Sequence, residues 1–326
     1  MGLRLVSSML AIAACAACTS DAIDNSQFDD TRSDGDCQAP AIVGEWDHRG
    51  SNISSLGEPY HGGSDVVANP GVTLELETRF IYGLVAKDLE EETVSLWIDL
   101  GDCTWRRFGD AVTDDSGRAS FLISLTADSP PGRYPYEVVV KGDGSRARGT
   151  IWLLPPVDTS LVVFDVDGTL TTGDIEIIEE VLGGDAPDMR EGAPEVAQAW
   201  AAAGHQPIYV TGRPMYGRET TLRWLRERGF PLGPLFLTTS ITQAAFDARQ
   251  YKTDVLDSIH QTAAVHYTAA YGNSPKDICA YGDTGIDPAA TYIAGDHGGE
   301  SCEDHLPTQA VEGYRSHLAE LEIPSP

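Results

Sequence analysis

The chain has 326 residues, a length at which two domains are the usual expectation. Its formal net charge is −28, from 22 lysines and arginines against 50 aspartates and glutamates. A surface this acidic repels nucleic acid at long range, so we expect no nucleic-acid partner. Hydrophobic residues make up 41% of the chain, enough for packed cores, which argues against a disordered polymer.

Residues 1–18 have the pattern of a secretion signal. Arg4 precedes a short apolar stretch, residues 5–14, and small residues surround Cys15 and Cys18. The stretch is too short to stay in a bilayer as a spanning helix. The pattern resembles a bacterial lipobox, with plain secretion as the alternative. The resemblance implies lipidation at Cys15 or Cys18, and a protein anchored at the periplasmic or outer-membrane face of the bacterial cell envelope.

Residues 19–69 are rich in Asp, Ser and Gly and show no sustained apolar period. This composition predicts an acidic, flexible tether that separates the folded part from the membrane. Lipidation at Cys18 would leave an even set of four cysteines, as suits an oxidising compartment. The four are Cys37, Cys103, Cys279 and Cys302.

Residues 70–156 alternate short apolar runs with turn signals. Val72-Leu74-Leu76 and Val94-Leu96-Ile98 are two of the runs, and Pro130-Pro131-Gly132 is one of the turns. Several short strands with a period of two predict a small antiparallel β-sandwich of the immunoglobulin-like type. The segment shows no catalytic grouping of residues. It is therefore interpreted as a structural or interaction module.

Residues 157–298 have the pattern of an α/β domain. The unbroken apolar run Leu161-Val162-Val163-Phe164 is typical of a strand that is buried on both faces of a parallel sheet. Helical and strand-like segments alternate after it, which predicts an open sheet that binds ligands at the carboxyl ends of its strands. Residues 299–326 are assigned to a C-terminal tail.

The first strand of this domain leads directly into Asp165-Val166-Asp167-Gly168-Thr169. Two carboxylates two residues apart at a strand end can face one cavity. Phosphoryl transfer needs a nucleophilic oxygen, a proton donor and a cation that offsets negative charge. The string resembles the first motif of the haloacid dehalogenase superfamily. The resemblance implies a Rossmann-like, Mg²⁺-dependent phosphatase in which Asp165 is the nucleophile and a metal ligand. Asp167 would be the general acid/base, and its main-chain carbonyl would also hold the metal.

Later residues resemble the remaining motifs of that superfamily in the expected order. Thr211, at the end of the second strand, would hydrogen-bond the phosphoryl oxygens, with Gly212 and Arg213 beside it at the substrate. Lys252, near the start of a helix, resembles the lysine that neutralises the aspartate and phosphate charge. Taken alone, a lysine on a helix is more often a solvated side chain.

Two acidic segments could complete the metal site. Asp277, with Asn273 beside it, follows an apolar strand and precedes a helix, where a metal-binding carboxylate should lie. Asp283 and Asp287 match the superfamily's GDxxxD motif more literally. A helix that started at Asp287 would have almost no room before the next strand, so position favours Asp277 and Asn273.

The spacing after the first motif predicts a minimal cap. Only about 20 residues, 172–193, separate it from the next predicted helix. They are too few for a large lid domain, and an open mouth suits a headgroup that a membrane presents. Arg190, Arg218 and Lys276 lie near motif ends and could face phosphate, although each taken singly is more often a surface charge.

A narrower resemblance covers residues 163–295. They are similar to the phosphatase domain of the lipin type and to the C-terminal domain of membrane-associated phosphatidylinositol transfer proteins. Lipins dephosphorylate phosphatidic acid, whereas the transfer-protein domains bind it and have lost the nucleophile. The similar pieces include Trp224-Leu225, Tyr251-Lys252, Ala270-Tyr271-Gly272-Asn273-Ser274 and Tyr292-Ile293-Ala294-Gly295.

Because this sequence keeps Asp165 and Asp167, the resemblance implies a phosphatidate phosphatase that releases diacylglycerol and phosphate. Two alternatives stay open. The chain could be a non-catalytic module that binds phosphatidic acid, or a phosphatase of a soluble phosphoester. The membrane phospholipid is the expected partner, and no protein partner is evident from the sequence.

Overall fold

The computed structural model describes residues 37–41, 43–83, 87–173, 187–239, 248–303 and 305–326. Cys15 and Cys18 lie outside these residues, as does most of the predicted minimal cap. The lipid anchor and the small cap therefore remain predictions. Among the described residues, no helix has both the length and the apolar character that crossing a membrane requires.

The N-terminal domain is a β-sandwich. A three-stranded sheet with the order β1-β3-β8 accompanies a five-stranded sheet with the order β2-β10-β9-β6-β7. Its elements are α1 (Ser51–Ser54), β1 (Gly62–Gly63), β2 (Val66–Ala68), β3 (Thr73–Arg79), β4 (Ile81–Tyr82), β5 (Lys87–Asp88), β6 (Thr93–Asp99), β7 (Trp105–Val112), β8 (Arg118–Ser124), β9 (Gly132–Val140) and β10 (Arg146–Leu153).

Strict alternation along the strands builds the core of the sandwich. Leu74 and Leu76 of β3 point inward between exposed neighbours, and Leu96 and Ile98 of β6 do the same from the other sheet. The pairings within these two sheets are antiparallel except that of β2 with β10, which is parallel. The predicted sandwich is therefore present.

Part of the predicted tether belongs to the folded domain. Strands β1 and β2 both lie before residue 70 and pair with β3 and β10. Further upstream, the N–H of Ala39 donates to Glu137 Oε2 over 3.0 Å, and Cys37 forms a disulfide with Cys103. Strands of two and three residues are too short to show a hydrophobic period, which is why the sequence pattern missed them.

The second domain is built on a six-stranded sheet with the order β13-β12-β11-β14-β15-β16, in which every pairing is parallel. Its strands are β11 (Thr159–Phe164), β12 (Gln206–Pro214), β13 (Leu235–Thr238), β14 (Val265–Gly272), β15 (Thr291–Ala294) and β16 (Gln309–Val311). Its helices are α2 (Ala193–Ala202), α3 (Arg218–Glu227), α4 (Ala248–Thr262), α5 (Pro275–Asp283) and α6 (Tyr314–Glu320).

Helices cover both faces of this sheet. Val162 and Phe164 of β11 join a core with α2, α3 and α6, whereas Leu161 and Val163 face the core formed with α4 and α5. The chain winds outward from β11 through β12 to β13, and then from β14 through β15 to β16 on the other side. The strand order thus reverses between β11 and β14, the position at which open α/β sheets bind ligands.

The predicted C-terminal tail is part of this domain. Strand β16 extends the sheet beside β15, and the Tyr314 hydroxyl of α6 donates to the main-chain oxygen of Thr169 over 3.1 Å. A disulfide joins Cys302 to Cys279 of α5. Only the last of the three residues of β16 is buried, so the strand leaves no periodic signal in the sequence.

One buried carboxylate links the two domains. Asp65, 2% exposed, precedes β2 and accepts from Arg218 Nη2 of α3 at 2.8 Å. It also accepts the main-chain N–H groups of Leu235 in β13 and Thr150 in β10, both at 2.8 Å. The predicted tether therefore contributes a residue that is bonded to both domains, and Arg218 lies at this junction.

Candidate functional site

Asp165 lies at the carboxyl end of the central strand. Its main-chain N–H donates to the carbonyl of Tyr271 in β14 over 2.9 Å, and the residue is 3% exposed. Carboxylate oxygen Oδ1 accepts from Lys252 Nζ at 2.6 Å, and Oδ2 accepts from the Thr169 hydroxyl at 2.7 Å. Gly168, with a φ of 74°, makes the tight turn that brings Thr169 back onto this carboxylate.

Lys252 joins two buried carboxylates. Its ammonium, on α4, donates both to Asp165 Oδ1 and to Asp277 Oδ1 on α5, and all three side chains are almost fully buried. Asp277 Oδ2 accepts from the main-chain N–H groups of Asn273 at 3.1 Å and Ser274 at 3.0 Å. Ser274 and Asp277 form a reciprocal capping box, so Asp277 also caps the N-terminus of α5.

The two carboxylates experience different environments. Burial raises the pKa of Asp165 to about 7, and the negative charge of Asp277 adds to this effect, although Lys252 opposes it. Burial also opposes ionisation of Asp277, but Lys252 and the donors of Ser274 and Asn273 hold its pKa below the ordinary value. Asp277 has main-chain N–H donors that Asp165 lacks, so it is the more firmly ionised of the pair.

Lys252 remains an ammonium in this cluster. Burial by itself would lower its pKa, but the charges of Asp165 and Asp277 raise it above the ordinary value. One cation thus serves two acidic groups in a dry environment, where an unpaired charge is costly.

Asp167 faces a different partner. Its carboxylate accepts from Arg213 Nε at 2.9 Å and Nη2 at 2.7 Å, and from the Thr211 hydroxyl at 3.0 Å. Arg213 is 2% exposed, also donates to Thr221 Oγ1 over 3.1 Å, and lies 6.0 Å from the ring of Trp224. The guanidinium is thus held within the protein and positions Asp167, whereas the family resemblance implies a contact of Arg213 with the substrate.

The structure does not bring the three aspartates together around one point. Asp165 and Asp277 meet at Lys252, while the carboxylate of Asp167 is bonded to Arg213. Across the described residues, no three His, Cys, Asp or Glu side chains are grouped as metal ligands would be. Arg213 therefore holds the Asp167 carboxylate apart from the other two, whereas the metal ligand expected from this residue is its main-chain carbonyl.

A smaller set of oxygen atoms still suits a hard cation. The Thr169 hydroxyl contacts Asp165 Oδ2 at 2.7 Å and Asn273 Oδ1 at 3.3 Å, so these two oxygens lie on either side of one small group. Carboxylate and amide oxygens are ligands that Mg²⁺ accepts. The donor chemistry of Asp165 and Asn273 fits Mg²⁺, with fewer carboxylates than expected.

The other acidic segment lies apart from this cluster. Asp283 accepts two hydrogen bonds from Arg249, at 2.8 and 2.9 Å, at the end of α5. Asp287 accepts the N–H of Ala289 at 2.9 Å and caps a short 3₁₀ turn, Pro288–Ala290. The structure gives both residues local roles, as their position before β15 suggested.

The remaining candidates take structural positions around the motif. Arg190 Nε donates to the carbonyl of Gly168 over 2.8 Å, and Lys276 is exposed on the first turn of α5. The carbonyl of Gly212 accepts from the Thr238 hydroxyl at 3.1 Å. Thr169 and Ser274 were not identified from the sequence as site residues. The Ser-x-x-Asp spacing is typical of a capping box at a helix N-terminus, and it could have identified Ser274 from the sequence.

Comparison with known families matches both domains. Residues 59–153 match the family model described as PITM 1-3, beta-sandwich domain. Residues 162–295 match the model described as PITM 1-3, LNS2 domain. Among solved structures, PhoD aligns with a TM-score of 0.29 and 7% identity, over 70% of this chain and 47% of that chain.

Individual relatives align with most of this chain. It is 30% identical over 303 residues to membrane-associated phosphatidylinositol transfer protein 1 of Homo sapiens, which covers 89% of this chain and 23% of that protein. It is 31% identical over 265 residues to protein retinal degeneration B of Drosophila melanogaster, which covers 80% of this chain and 20% of that protein. The chain thus spans about a quarter or less of the relatives it matches. It contains a β-sandwich domain followed by an LNS2 domain, and matches the membrane-associated phosphatidylinositol transfer proteins across both.

Proposed function

We propose that this protein recognises the phosphate group of a membrane phospholipid at the carboxyl edge of the LNS2 sheet, with phosphatidic acid as the expected lipid. The single observation that carries the proposal is the buried Asp165–Lys252–Asp277 cluster at the point where the strand order reverses. Ligand sites of open α/β sheets occur there. Several relatives that align with most of this chain are named as membrane-associated phosphatidylinositol transfer proteins, which supports a lipid as the ligand.

We further propose that the bound phosphomonoester is hydrolysed, because this chain retains both aspartates of the haloacid dehalogenase-like motif. An Asp165 oxygen would attack phosphorus and form an aspartyl phosphate, while the bond from phosphorus to the lipid oxygen breaks. Asp167 would give a proton to that oxygen and then take one from the water that releases phosphate. Arg213 and Thr211 orient the Asp167 carboxylate for this role.

Two side chains and the main-chain carbonyl of Asp167 would hold a magnesium ion in this proposal. Asp165 and Asn273 would be its side-chain ligands, and Mg²⁺ would offset the negative charge that develops on the phosphoryl oxygens. Lys252, already bonded to Asp165, would keep that carboxylate from repelling an approaching phosphate.

Replacing Asp165 by asparagine tests whether the site hydrolyses its ligand. We expect the wild-type protein to release phosphate from phosphatidic acid in micelles when Mg²⁺ is present, and the variant to lose at least about 10³-fold in rate, because the amide is a poor nucleophile. Asp283→Asn is the matched control, since that carboxylate is paired with Arg249 away from the cluster. Its rate should equal that of the wild type.

The outcomes separate the candidate functions. Equal rates in wild type and Asp165→Asn would contradict the nucleophile assignment. Binding to phosphatidic-acid vesicles with no phosphate release from any phosphoester would leave recognition as the function and contradict hydrolysis. Release of phosphate from soluble phosphoesters, but not from the lipid, would identify a soluble phosphoester as the substrate and contradict the lipid proposal.

We also propose that the protein is lipid-anchored at the periplasmic or outer-membrane face of a bacterial envelope. The other four cysteines form the pairs Cys37–Cys103 and Cys279–Cys302, and such bonds persist in oxidising compartments. Cells fed a labelled fatty acid should incorporate label into the wild-type protein. One of the variants Cys15→Ser and Cys18→Ser should lose it and the other retain it. Absence of label from the wild type would contradict the anchor.

A further inference from the structure

Two side chains from later parts of the chain hold the turn that follows Asp165. Arg190 Nε donates to the carbonyl of Gly168 over 2.8 Å. The Tyr314 hydroxyl donates to the carbonyl of Thr169 over 3.1 Å. These carbonyls belong to consecutive peptide groups, so the main chain is held immediately before and immediately after the α-carbon of Thr169.

Thr169 links this turn to the proposed nucleophile. Its side chain is buried, and its hydroxyl donates to Asp165 Oδ2 over 2.7 Å, while Lys252 donates to Oδ1 over 2.6 Å. Both oxygens of the Asp165 carboxylate are therefore bonded, which fixes its plane. Because only the β-carbon separates the Thr169 hydroxyl from the main chain, a displacement of the turn moves this hydroxyl by a similar distance.

Arg190 is bonded to the same turn through its main chain. Its N–H donates to the carbonyl of Leu170 over 2.8 Å, and the N–H of Thr172 donates to the carbonyl of Asp188 over 2.8 Å. The two segments thus lie side by side in antiparallel directions. The half-buried side chain of Arg190 then reaches back to Gly168, so one residue holds the turn at two points.

Tyr314 comes from α6, beyond the residues 162–295 that match the LNS2 model. The side chain is 2% exposed and packs in the core of the domain, with its ring centre 6.2 Å from that of Tyr271. Burial raises the pKa of the Tyr314 hydroxyl, so the group stays protonated and can donate. The last helix thus supplies a fixed donor to a residue that lies 145 positions earlier in the sequence.

We propose that Tyr314 and Arg190 are positioning residues for the nucleophile Asp165. By holding two consecutive carbonyls, they keep the Thr169 hydroxyl on this carboxylate and so orient it for attack on phosphorus. The inference rests on the proposed function, since it takes Asp165 as the nucleophile. Reaction rates fall steeply when a reacting group is misplaced. Loss of either donor should therefore lower kcat and leave KM unchanged.

The experiment measures phosphate release from phosphatidic acid in micelles with Mg²⁺, for full-length variants that circular dichroism shows to be folded. Tyr314→Phe removes only the hydroxyl, and we expect kcat to fall about tenfold while KM stays within about twofold of the wild type. Thr169→Val, which removes the hydroxyl bonded to Asp165, should lower kcat at least as much. The double variant should equal Thr169→Val alone, because Tyr314 acts through Thr169. Additive losses in the double variant would overturn the proposal.

Arg190 is tested by loss and by conservative replacement. Arg190→Met should lower kcat at unchanged KM, and Arg190→Lys should recover most of the rate, because its ammonium can still donate to Gly168. A raised KM with unchanged kcat in Arg190→Met would identify a substrate contact and overturn the positioning role. Tyr209→Phe is the matched control for Tyr314→Phe. Its buried hydroxyl also donates to a main-chain carbonyl, that of Pro231 at 2.6 Å, at the opposite edge of the sheet. Its kcat should equal that of the wild type.

Calorimetric titration with Mg²⁺ separates this proposal from the proposed function. Since the Thr169 hydroxyl contacts both Asp165 and Asn273, we expect Tyr314→Phe to raise the Kd for Mg²⁺ about threefold, whether or not the wild type hydrolyses a phosphoester. A higher Kd in the variant of an inactive protein would contradict hydrolysis and support the hold on Asp165.

Two other results would overturn the positioning role. An active wild type with equal kcat in Tyr314→Phe would do so and leave hydrolysis standing. A wild type that releases no phosphate, with no Mg²⁺ binding or with equal Kd values in wild type and variant, would overturn both proposals. If Tyr314→Phe fails to fold, Arg190→Met and Arg190→Lys decide the result by themselves.

Discussion

Lys252→Met is expected to destabilise the LNS2 domain by about 3–5 kcal/mol, the usual cost of removing one partner from a buried ion pair. The change leaves Asp165 and Asp277 buried beside one another without the ammonium that both now accept from. Methionine fills a similar volume, so the loss reports charge and hydrogen bonding more than packing. Urea unfolding followed by circular dichroism in the presence of EDTA measures it.

The loss in free energy of unfolding that Lys252→Met causes should grow with pH. In the wild type, burial already places the pKa of Asp165 at about 7, far above the value of about 3.9 in an unfolded chain. Removing the cation raises the pKa of this carboxyl further. A carboxyl whose pKa is raised by folding stabilises the folded state fully when the pH is below its pKa in the unfolded state. This contribution is lost as the pH rises through its pKa in the folded state. The deficit should therefore be smaller at pH 5 than at pH 8.

Lys276→Met is the matched control, because Lys276 is exposed on α5 and its loss should change stability by well under 1 kcal/mol. The double variant Lys252→Met with Asp165→Asn should recover part of the loss, since it removes one of the two uncompensated charges. A Lys252→Met protein as stable as the wild type at pH 8 would show that the cluster is not assembled in the way the structure describes.

Asp65→Ala is expected to cost a similar amount, about 3–5 kcal/mol, and to uncouple the two domains. The substitution leaves the buried guanidinium of Arg218 without its counter-charge and removes the acceptor for the N–H groups of Thr150 and Leu235. Because these donors belong to both domains, their association should weaken. Differential scanning calorimetry should then show two separated transitions in place of closely coupled ones.

The control for this substitution is Asp128→Ala, since Asp128 is exposed in the turn after β8. Asp65→Asn adds a second comparison, because the amide keeps one acceptor oxygen and the side-chain volume but loses the charge. The free energy of unfolding of Asp65→Asn should lie between those of the wild type and Asp65→Ala. A single transition at an unchanged temperature in Asp65→Ala would contradict the role of this residue at the junction.

Together these two variants test the arrangement of the site independently of any substrate. Lys252 determines whether two acidic groups can occupy the sheet edge, and Asp65 determines whether the LNS2 domain stays docked on the sandwich. A loss of phosphate release in Lys252→Met at pH 5, where its stability is expected to be closer to that of the wild type, would then bear on the lysine's part in the reaction rather than on folding.

Local patterns in the sequence were sufficient for the elements that have a clear period or a clear motif. The alternation around Leu74 and Leu96 predicted the sandwich, and the apolar run before Asp165 predicted a strand buried on both faces. The position of Asp277 after a strand predicted that it would lie at the same sheet edge as Asp165, whereas Lys252 was assigned there by the resemblance to the haloacid dehalogenase motifs. These features depend on side-chain periodicity and strand direction, which a linear sequence records.

Only the tertiary structure decided which charged groups pair over long distances. It placed Asp167 on Arg213 instead of beside the other two aspartates, and it moved Asp65 from the predicted tether to the junction with Arg218. The short strands β1, β2 and β16 were likewise recognisable only from their partners. Pairing energies of buried charges depend on distance and desolvation, and both are properties of the packed chain that no local pattern contains.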